Sequence, residues 1–598
     1  MVDNGRPLEQ RDRLSSPMQP TPSTSSAPPA PRYPATWWAT LALVASTALA
    51  VSPQAAKSPL RWHGLLGPKP VVFATGTVLC AIACFAAWRR AKVHFTNFDL
   101  AALGYLAVGF LAMAVNGFSL PFSLPWIAVH LGALVVVVTA REATSQNRDA
   151  LVDGLVSIGA IIALVALYEA LGGSLPWETS RRPGATFANR NAVGGYCAIL
   201  LPLALVRAAM RPHYLRSLAA ALLMLTAALC RARSSWVGLL VASLVVIAVW
   251  VALWVRRGSP APSRRGIIHA CVTLVGTVVV LNTVSWGGLQ WSEPTPFKSS
   301  FSRIVDYDSG TGRSRLEQHQ VGLAMLSVKP WVGFGPGLWR REAPRFAHAA
   351  TGKHARFIEP LWTPASDLLR HSVETGLLGL IAAAAMAFSL LVGSGRRVMQ
   401  TQDMLSLATI GSLIVALVIS GFDALLARPA SVALVAAVAG MLRFDCASRA
   451  AFVSPRACGL VLSLAATVSL CIAAPQYLAL KELSEDCSAT TVLRLGPSRS
   501  LPLESLRAVA ISEHFEDCST LTAAATLLDM HLPYEPRLLH LLARCAEQQG
   551  RLEDARSFRR RAQDIEPHDM SVAPTEKDGM NRSPVEGDGL VKGGEEVP

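Results

Sequence analysis

Apolar runs of nearly 20 residues, broken by short polar connections, set the pattern of this chain. ATWWATLALVASTALA and VVFATGTVLCAIACFAA are two of them. A helix needs about 20 apolar residues to cross the hydrocarbon core of a bilayer. Inside that core its backbone groups must be satisfied within the helix. The pattern predicts spans near 36–53, 71–88, 100–118, 125–140, 151–172, 191–210, 217–232, 235–255, 267–286, 375–394, 405–422, 429–442 and 458–478. Some are short, so 12 and 13 crossings both fit. The predicted fold class is an all-α polytopic membrane protein. Trp37 and Trp38 open the first span, as suits an aromatic residue at the membrane interface.

Three polar stretches interrupt or flank the spans. Residues 1–35 are rich in Pro, Ser and Thr and read as a disordered N-terminus without an apolar core of signal-peptide type. Residues 287–374 form the one large loop, between spans at 36–286 and 375–480. Residues 481–569 are polar and helix-compatible, and 570–598 read as a disordered tail. Within 481–569, LLARCAEQQGRLEDARSFRRRAQDIEP resembles a tetratricopeptide repeat. Ala543, Gly550, Ala555, Ala562 and Pro567 fall at that repeat's offsets. An ordinary helical hairpin is the competing reading.

Composition agrees with the pattern: 51% of residues are hydrophobic and 16% charged, against about a quarter charged in soluble domains. The net charge of +14 does not mark a nucleic-acid binder, because the basic residues sit in short connections between spans. Arg89, Arg90, Lys92, Arg141, Arg148, Arg256, Arg257, Arg264, Arg265, Arg396, Arg397, Arg443, Arg449 and Arg456 share one side if the N-terminus is cytoplasmic. The large loop and the C-terminus are then outside. Arg181, Arg182, Arg190, Arg231 and Arg233 fall on that outer side against the charge rule; an anionic ligand there would explain their retention, and contact with outer-leaflet headgroups, by snorkelling at the span ends for Arg231 and Arg233, is the competing reading. The eleven cysteines show no metal spacing. Cys487, Cys518 and Cys545 lie in the polar C-terminal segment, where an oxidising compartment would join one pair and leave one thiol over. Spacing does not choose the pair.

The chemistry-bearing motifs lie between residues 180 and 395. VGFGPG (332–337) lacks the GK[ST] ending of a phosphate-binding loop and reads as a tight turn. No HExxH or GxSxG pattern is present. Three segments resemble the O-antigen ligase and polymerase family of membrane glycosyltransferases: RPGATFANRNAVGGYCAILLPLAL from Arg182, RARSSWVGLLVASLV from Arg231, and the loop itself. In the loop, Arg315, Leu316 and Glu317, then Pro330 to Gly337, then Asp367, Leu369 and Glu374 to Gly379 follow the family's order.

The resemblance implies a GT-C-like enzyme of the bacterial inner membrane, with its large loop and C-terminus periplasmic. Its donor would be an undecaprenyl-diphosphate-linked glycan, and no metal or nucleotide cofactor is implied. Arg suits the diphosphate through its permanent charge and paired donors. Arg315, with Arg182, Arg190, Arg233 and Arg313, carries that role in this reading. Asp367, Glu374 and His371 are the candidates for acceptor chemistry. Ligase-type members have a histidine where this chain has Ala365. That departure points to a polymerase joining lipid-linked units, with a ligase acting on lipid A core or protein as the alternative. A flippase and an inactive scaffold, its tail recruiting polysaccharide-assembly proteins, are the readings from other classes.

Overall fold

The computed structural model describes residues 35–51, 68–87, 93–94, 96–177, 182–187, 189–257, 263–289, 295–304, 306–308, 310–352, 364, 366–442, 452–453, 455–485, 518, 522, 525–526 and 536–565. Ala365, Arg181, His354 and Cys487 lie outside them, as do the N-terminal segment and the tail from 566. The membrane helices are α1 (Ala35–Leu49), α2 (Pro68–Ala87), α3 (Asn97–Asn116), α4 (Leu120–Ala170), α5 (Arg190–Met210), α6 (Tyr214–Leu229), α7 (Arg233–Arg257) and α8 (Arg264–Thr283). After the loop come α12 (Asp367–Thr401), α13 (Met404–Phe422), α14 (Pro429–Gly440) and α15 (Pro455–Glu485). α4 breaks at Asn147, where φ is −153° and ψ 80°, so it contributes two crossings. Ten helical stretches are long and apolar enough to cross a membrane, and α1, α6 and α14 are shorter apolar helices. Each of the thirteen predicted spans falls on one of these.

The helices alternate in direction, and hydrogen bonds between them sort their ends. Thr186 Oγ1 donates to Ala48 O (2.7 Å), Gly288 N to Ala170 O (3.0 Å), and Asn116 Nδ2 to Gly333 O (3.0 Å). The end of α1, the start of α2, the end of α3 and the second end of α4 therefore meet the loop at one end of the bundle. The opposite end is held by ion pairs. Arg141 forks onto Asp99 at 2.7 and 2.9 Å, Arg207 and Arg216 share Asp153, and Arg148 meets Asp403. At that end a two-residue ladder pairs β1 (Val93–His94) with β2 (Phe452–Val453). It ties the connection after α2 to the one before α15.

Among the ten long spans α5 and α13 are the most enclosed, whereas α7 and α8 leave most of their surface open. Small residues set the spacing between helices, as is usual where lipid provides no hydrophobic drive for association. A Cβ on Gly132 would meet the Phe73 ring at 2.4 Å, and one on Gly440 would meet Val137 O at 2.3 Å. Lys69, almost wholly buried, donates to the carbonyls of Thr47, Ala48 and Ala50 at 2.8 to 3.2 Å. It satisfies the orphan acceptors at the end of α1 and meets that end of the helix dipole with a cation.

The loop contributes α9 (Pro296–Ser302), α10 (Gly310–Val328) and α11 (Trp339–Thr351). Near the C-terminus, α16 (Pro536–Gln548) and α17 (Leu552–Ile565) form a hairpin turned at Gly550, whose φ is 74°. Ala543, Ala546, Ala555 and Ala562 are buried in it.

Candidate functional site

The glycine turn and α12 explain how the site is held. α12 breaks at Gly376, where φ is 67° and ψ −168°. In an unbroken helix the Val373 and Glu374 carbonyls would accept from Leu377 and Leu378. Here Phe334 N and Gly335 N donate to those carbonyls at 3.0 and 2.9 Å. Leu377 N and Leu378 N donate instead to Pro330 O and Trp331 O at 2.8 and 3.2 Å. The turn thus satisfies all four groups that the break exposes, as buried backbone requires. It comes that close only because Gly333 (φ 70°) and Gly376 face each other without side chains. A Cβ on Gly333 would lie 2.4 Å from Val373 O, and one on Gly376 would lie 2.3 Å from Trp331 O.

This interlock fixes the first turns of α12. Ser366 caps the helix through Leu369 N (3.2 Å) and donates to Ser420 O (3.1 Å). Asp367 is 1% exposed; its Oδ2 accepts from Leu426 N at 2.6 Å. Glu374, equally buried, accepts from Arg370 Nε at 3.1 Å, one helical turn back. Asp367 Oδ1 and Glu374 Oε2 are both buried without a hydrogen-bond partner among the described residues.

Arg315 comes from α10 and faces this corner. Its Nη2 lies 4.0 Å from Asp423 Oδ2, and both side chains are 25% exposed. Asp423 ends α13 and also accepts from Ala424 N at 2.9 Å. Arg428, just before α14, interacts with both Asp423 and Asp367; burial pushes its guanidinium below the ordinary arginine range, against the pull of those carboxylates. Arg233 starts α7 within electrostatic reach of Arg315. It donates to the Arg303 carbonyl and to Thr311 Oγ1 (2.5 Å). Arg231, in the left-handed region at φ 51°, reaches Ser300 Oγ at 2.6 Å. Both arginines thereby anchor the loop to the turn between α6 and α7. Three cations, Arg233, Arg315 and Arg428, and two carboxylates, Asp367 and Asp423, lie where α7, α10, α12 and α13 meet.

The other predicted residues take different places. Arg313 pairs with Glu317 one turn along (3.2 Å) and is 56% exposed, whereas Arg315 approaches Asp423. His371 points away from Arg315 into the bundle. Its Nδ1 lies 2.6 Å from Tyr105 Oη, beside His130, which stacks on Trp126 at 4.2 Å. Arg182 is half exposed and 3.7 Å from Glu169. Glu169 Oε2 also accepts from Gly184 N and Ala185 N at 2.7 and 3.0 Å, which seats the segment before α5. Arg190 opens α5 near Glu169 and Cys230, one turn before Gly194, which packs against Cys230 and Ala232. It therefore belongs to the same end of the bundle as Arg233. His319 Nδ1 bonds the Arg315 carbonyl at 2.7 Å.

Asp423, Arg428 and Arg370 did not stand out in the sequence. The signal that could have found Arg370 is its charge opposite Glu374, four residues on at a helix start. Asp423 and Arg428 sit in FDALLARP, a connection too short to attract notice except for its retention of two charges.

Residues 218–384 match the family model described as O-Antigen ligase. The match takes in Arg231, Arg233, Arg315, Arg370 and the acidic start of α12, and stops before Asp423. No curated protein matches the chain. Over residues 218–384 this multi-pass membrane protein is similar to the O-antigen ligases, enzymes that transfer glycan.

Proposed function

We propose that the protein is a ligase of the bacterial inner membrane. It moves an oligosaccharide from a polyprenyl diphosphate, such as undecaprenyl diphosphate, to an acceptor hydroxyl on the periplasmic side. The observation that carries this reading is the convergence of Arg233, Arg315 and Asp423 at the end of the membrane helices. A lipid carrier keeps its tail in the bilayer and presents its diphosphate at that level. The loop end is then periplasmic, and the ion-paired end, with Arg256, Arg257, Arg264 and Arg265, is cytoplasmic.

In this mechanism Arg233 and Arg315 bind the donor diphosphate. Asp423 is the most open carboxylate of the cluster and accepts the proton of the acceptor hydroxyl. The acceptor oxygen bonds the anomeric carbon as the bond from that carbon to the phosphate oxygen breaks. The diphosphate leaves with the electron pair on its lipid, where fixed cations stabilise the charge that develops. Asp367 positions Asp423 and the Leu425–Leu426 turn, and Glu374 holds Arg370. Arg182 and Arg190 line the approach from the segment before α5.

The ligase replaces the polymerase suggested by Ala365, because the family match is to O-Antigen ligase and carboxylates stand where that histidine's work would be needed. The C-terminal hairpin is proposed as a repeat-like surface for other polysaccharide-assembly proteins. The test is Arg315→Ala in a strain dependent on this chain, with the protein level checked. Full-length glycan left on the lipid carrier and lost from its acceptor supports the ligase. Single units on the acceptor would instead identify a polymerase, and unchanged surface glycan would remove Arg315 from the reaction.

A further inference from the structure

The loop helix α10 is apolar on two flanks, and the protein covers one of them. Val321 and Met325 are fully buried on the inner flank. Leu316 and Leu323 are 47% and 63% exposed, and Leu326 lies beside them, partly buried. A helix with a single apolar stripe needs one partner; this one has a second stripe to cover.

The contacts of α10 show where that second stripe points. At its start, Thr311 Oγ1 accepts from Arg233, the first residue of α7 (2.5 Å). Midway, Gly322 meets Leu369 at the start of α12, where an added Cβ would lie 2.5 Å from Leu369 Cδ1. Just past its end, Lys329 Nζ donates to Asn116 Oδ1 at the end of α3 (2.5 Å). Pro330 O and Trp331 O accept from Leu377 N and Leu378 N, where the apolar run of α12 begins. Every anchor belongs to the end of a membrane crossing. The 19 residues of α10 make a rod about 28 Å long, and it lies across the end of the bundle rather than standing on it.

Arg315, which reaches Asp423, and Gly322, which meets Leu369, mark the side of α10 toward the bundle. Arg313, Gln320 and Ser327, all exposed, fall on roughly the opposite side at 3.6 residues per turn. Leu316, Leu323 and Leu326 fall between the two, about a quarter-turn from Arg315 and Gly322. The ridge also continues onto the spans. Trp331 is exposed and joined through its carbonyl to Leu378, and Leu378 and Ile381 begin the open apolar face of α12.

We propose that α10 is an interfacial helix whose Leu316, Leu323 and Leu326 ridge is sunk into the lipid leaflet at the loop end of the bundle. The occupant of the ridge is the lipid surface, because the ridge is continuous with the lipid-facing side of α12 and the polar residues turn away from the bundle. Trp331 takes the place of an interfacial aromatic. Such helices bury their apolar face about 5–10 Å into the boundary between headgroups and acyl chains. The ridge adjoins Arg315, so the same contact holds that guanidinium at headgroup depth. This inference rests on the membrane placement of the helices, and on neither the sidedness nor the reaction proposed above.

The experiment uses the full-length chain in lipid nanodiscs of phosphatidylethanolamine and phosphatidylglycerol, which leave both faces open to buffer. A naphthyl amino acid with environment-sensitive emission replaces Leu316, Gln320 or Leu323, one position per sample. The same label at Leu274, exposed midway along α8, reports the bilayer interior. Each sample is quenched by aqueous iodide and by lipids carrying a doxyl group either shallow or deep in the acyl chain. Labels at Leu316 and Leu323 should lose emission most to the shallow doxyl lipid and resist iodide. The label at Gln320 should do the reverse, and that at Leu274 should respond most to the deep doxyl lipid. Iodide quenching at Leu316 and Leu323 equal to that at Gln320 would put the ridge in water and overturn the proposal. Resistance to iodide without doxyl quenching at either depth would overturn it too, since a second copy of the chain would then cover the ridge. Strongest quenching by the deep doxyl lipid would make α10 a membrane-embedded segment rather than an interfacial one.

Discussion

Replacing Gly333 with Ala should undo the interlock between the glycine turn and α12. The new Cβ would stand 2.4 Å from Val373 O, 2.6 Å from Gly376 N and 2.7 Å from the Glu374 carbonyl carbon. All three are backbone atoms, so no side chain can swing away. Ala also pays roughly 1–2 kcal/mol to hold φ at 70°. If the turn backs off, the four backbone bonds at 2.8 to 3.2 Å are lost together. At about 1 kcal/mol each they add roughly 4 kcal/mol. The docked arrangement should therefore weaken by about 5–6 kcal/mol, some four powers of ten in its population. Asp367, Arg370 and Glu374 sit on the turns so freed, and transfer should collapse. Gly352→Ala is the matched control, since Gly352 has φ 67° but nothing within 4 Å of an added Cβ. It should cost only the conformational part. The assay is thermal unfolding of the detergent-extracted protein alongside the surface glycan phenotype. Equal melting temperatures for the Gly333 and Gly352 variants, with transfer intact in both, would refute the reasoning.

Arg315→Ala should lower transfer roughly a hundred- to a thousand-fold, the loss typical of a group that stabilises a developing anion, with no change in melting temperature. Arg182→Ala should leave stability within about 1 kcal/mol, because its ion pair with Glu169 is long and exposed; a rise in the donor concentration needed for half-maximal transfer checks its proposed role in donor approach. Lys69→Met strands three carbonyls at the end of α1 and should cost about 3 kcal/mol in the same unfolding assay. Burial raises the Asp403 carboxyl, but Arg148 and Ser406 outweigh it and hold the group below the usual carboxylate range. A depressed carboxyl stabilises the fold above its unfolded value of about 3.9 and loses that contribution as pH falls. Wild-type stability should therefore drop more steeply below about pH 5 than that of Asp403→Asn, which an unfolding series across pH would show.

Much of this was legible from residue order alone. Apolar runs gave thirteen spans because bilayer thickness dictates their length, and glycines in VGFGPG announced a tight turn. The break at Gly376 was not legible. ETGLLGL reads as the start of an uninterrupted apolar helix, and only the approach of Trp331 explains why a glycine is needed there. Arg315 stood out by motif, yet its neighbour Asp423 is more than a hundred residues away and comes from a connection between two other helices. His371 illustrates the opposite case. Its spacing from Asp367 placed it on the right helix, while the Tyr105 contact that turns it into the bundle depends on α3. Spacing along one helix carries no information about which neighbour a face will meet.

The short ladder between Val93–His94 and Phe452–Val453 bears on how the chain is assembled. Its two halves leave the ribosome some 360 residues apart. α2 meets α15 where Gly459 admits the Phe85 ring, and α4 accepts the Ser469 hydroxyl at Ala128 O (2.9 Å). Until α15 is inserted, those faces of α2 and α4 have only lipid or a chaperone to cover them. The last crossing is therefore the one that closes the bundle. A chain truncated before Pro455 would keep Arg233, Arg315, Asp367 and Asp423 and still lack the helix that seals its earliest spans.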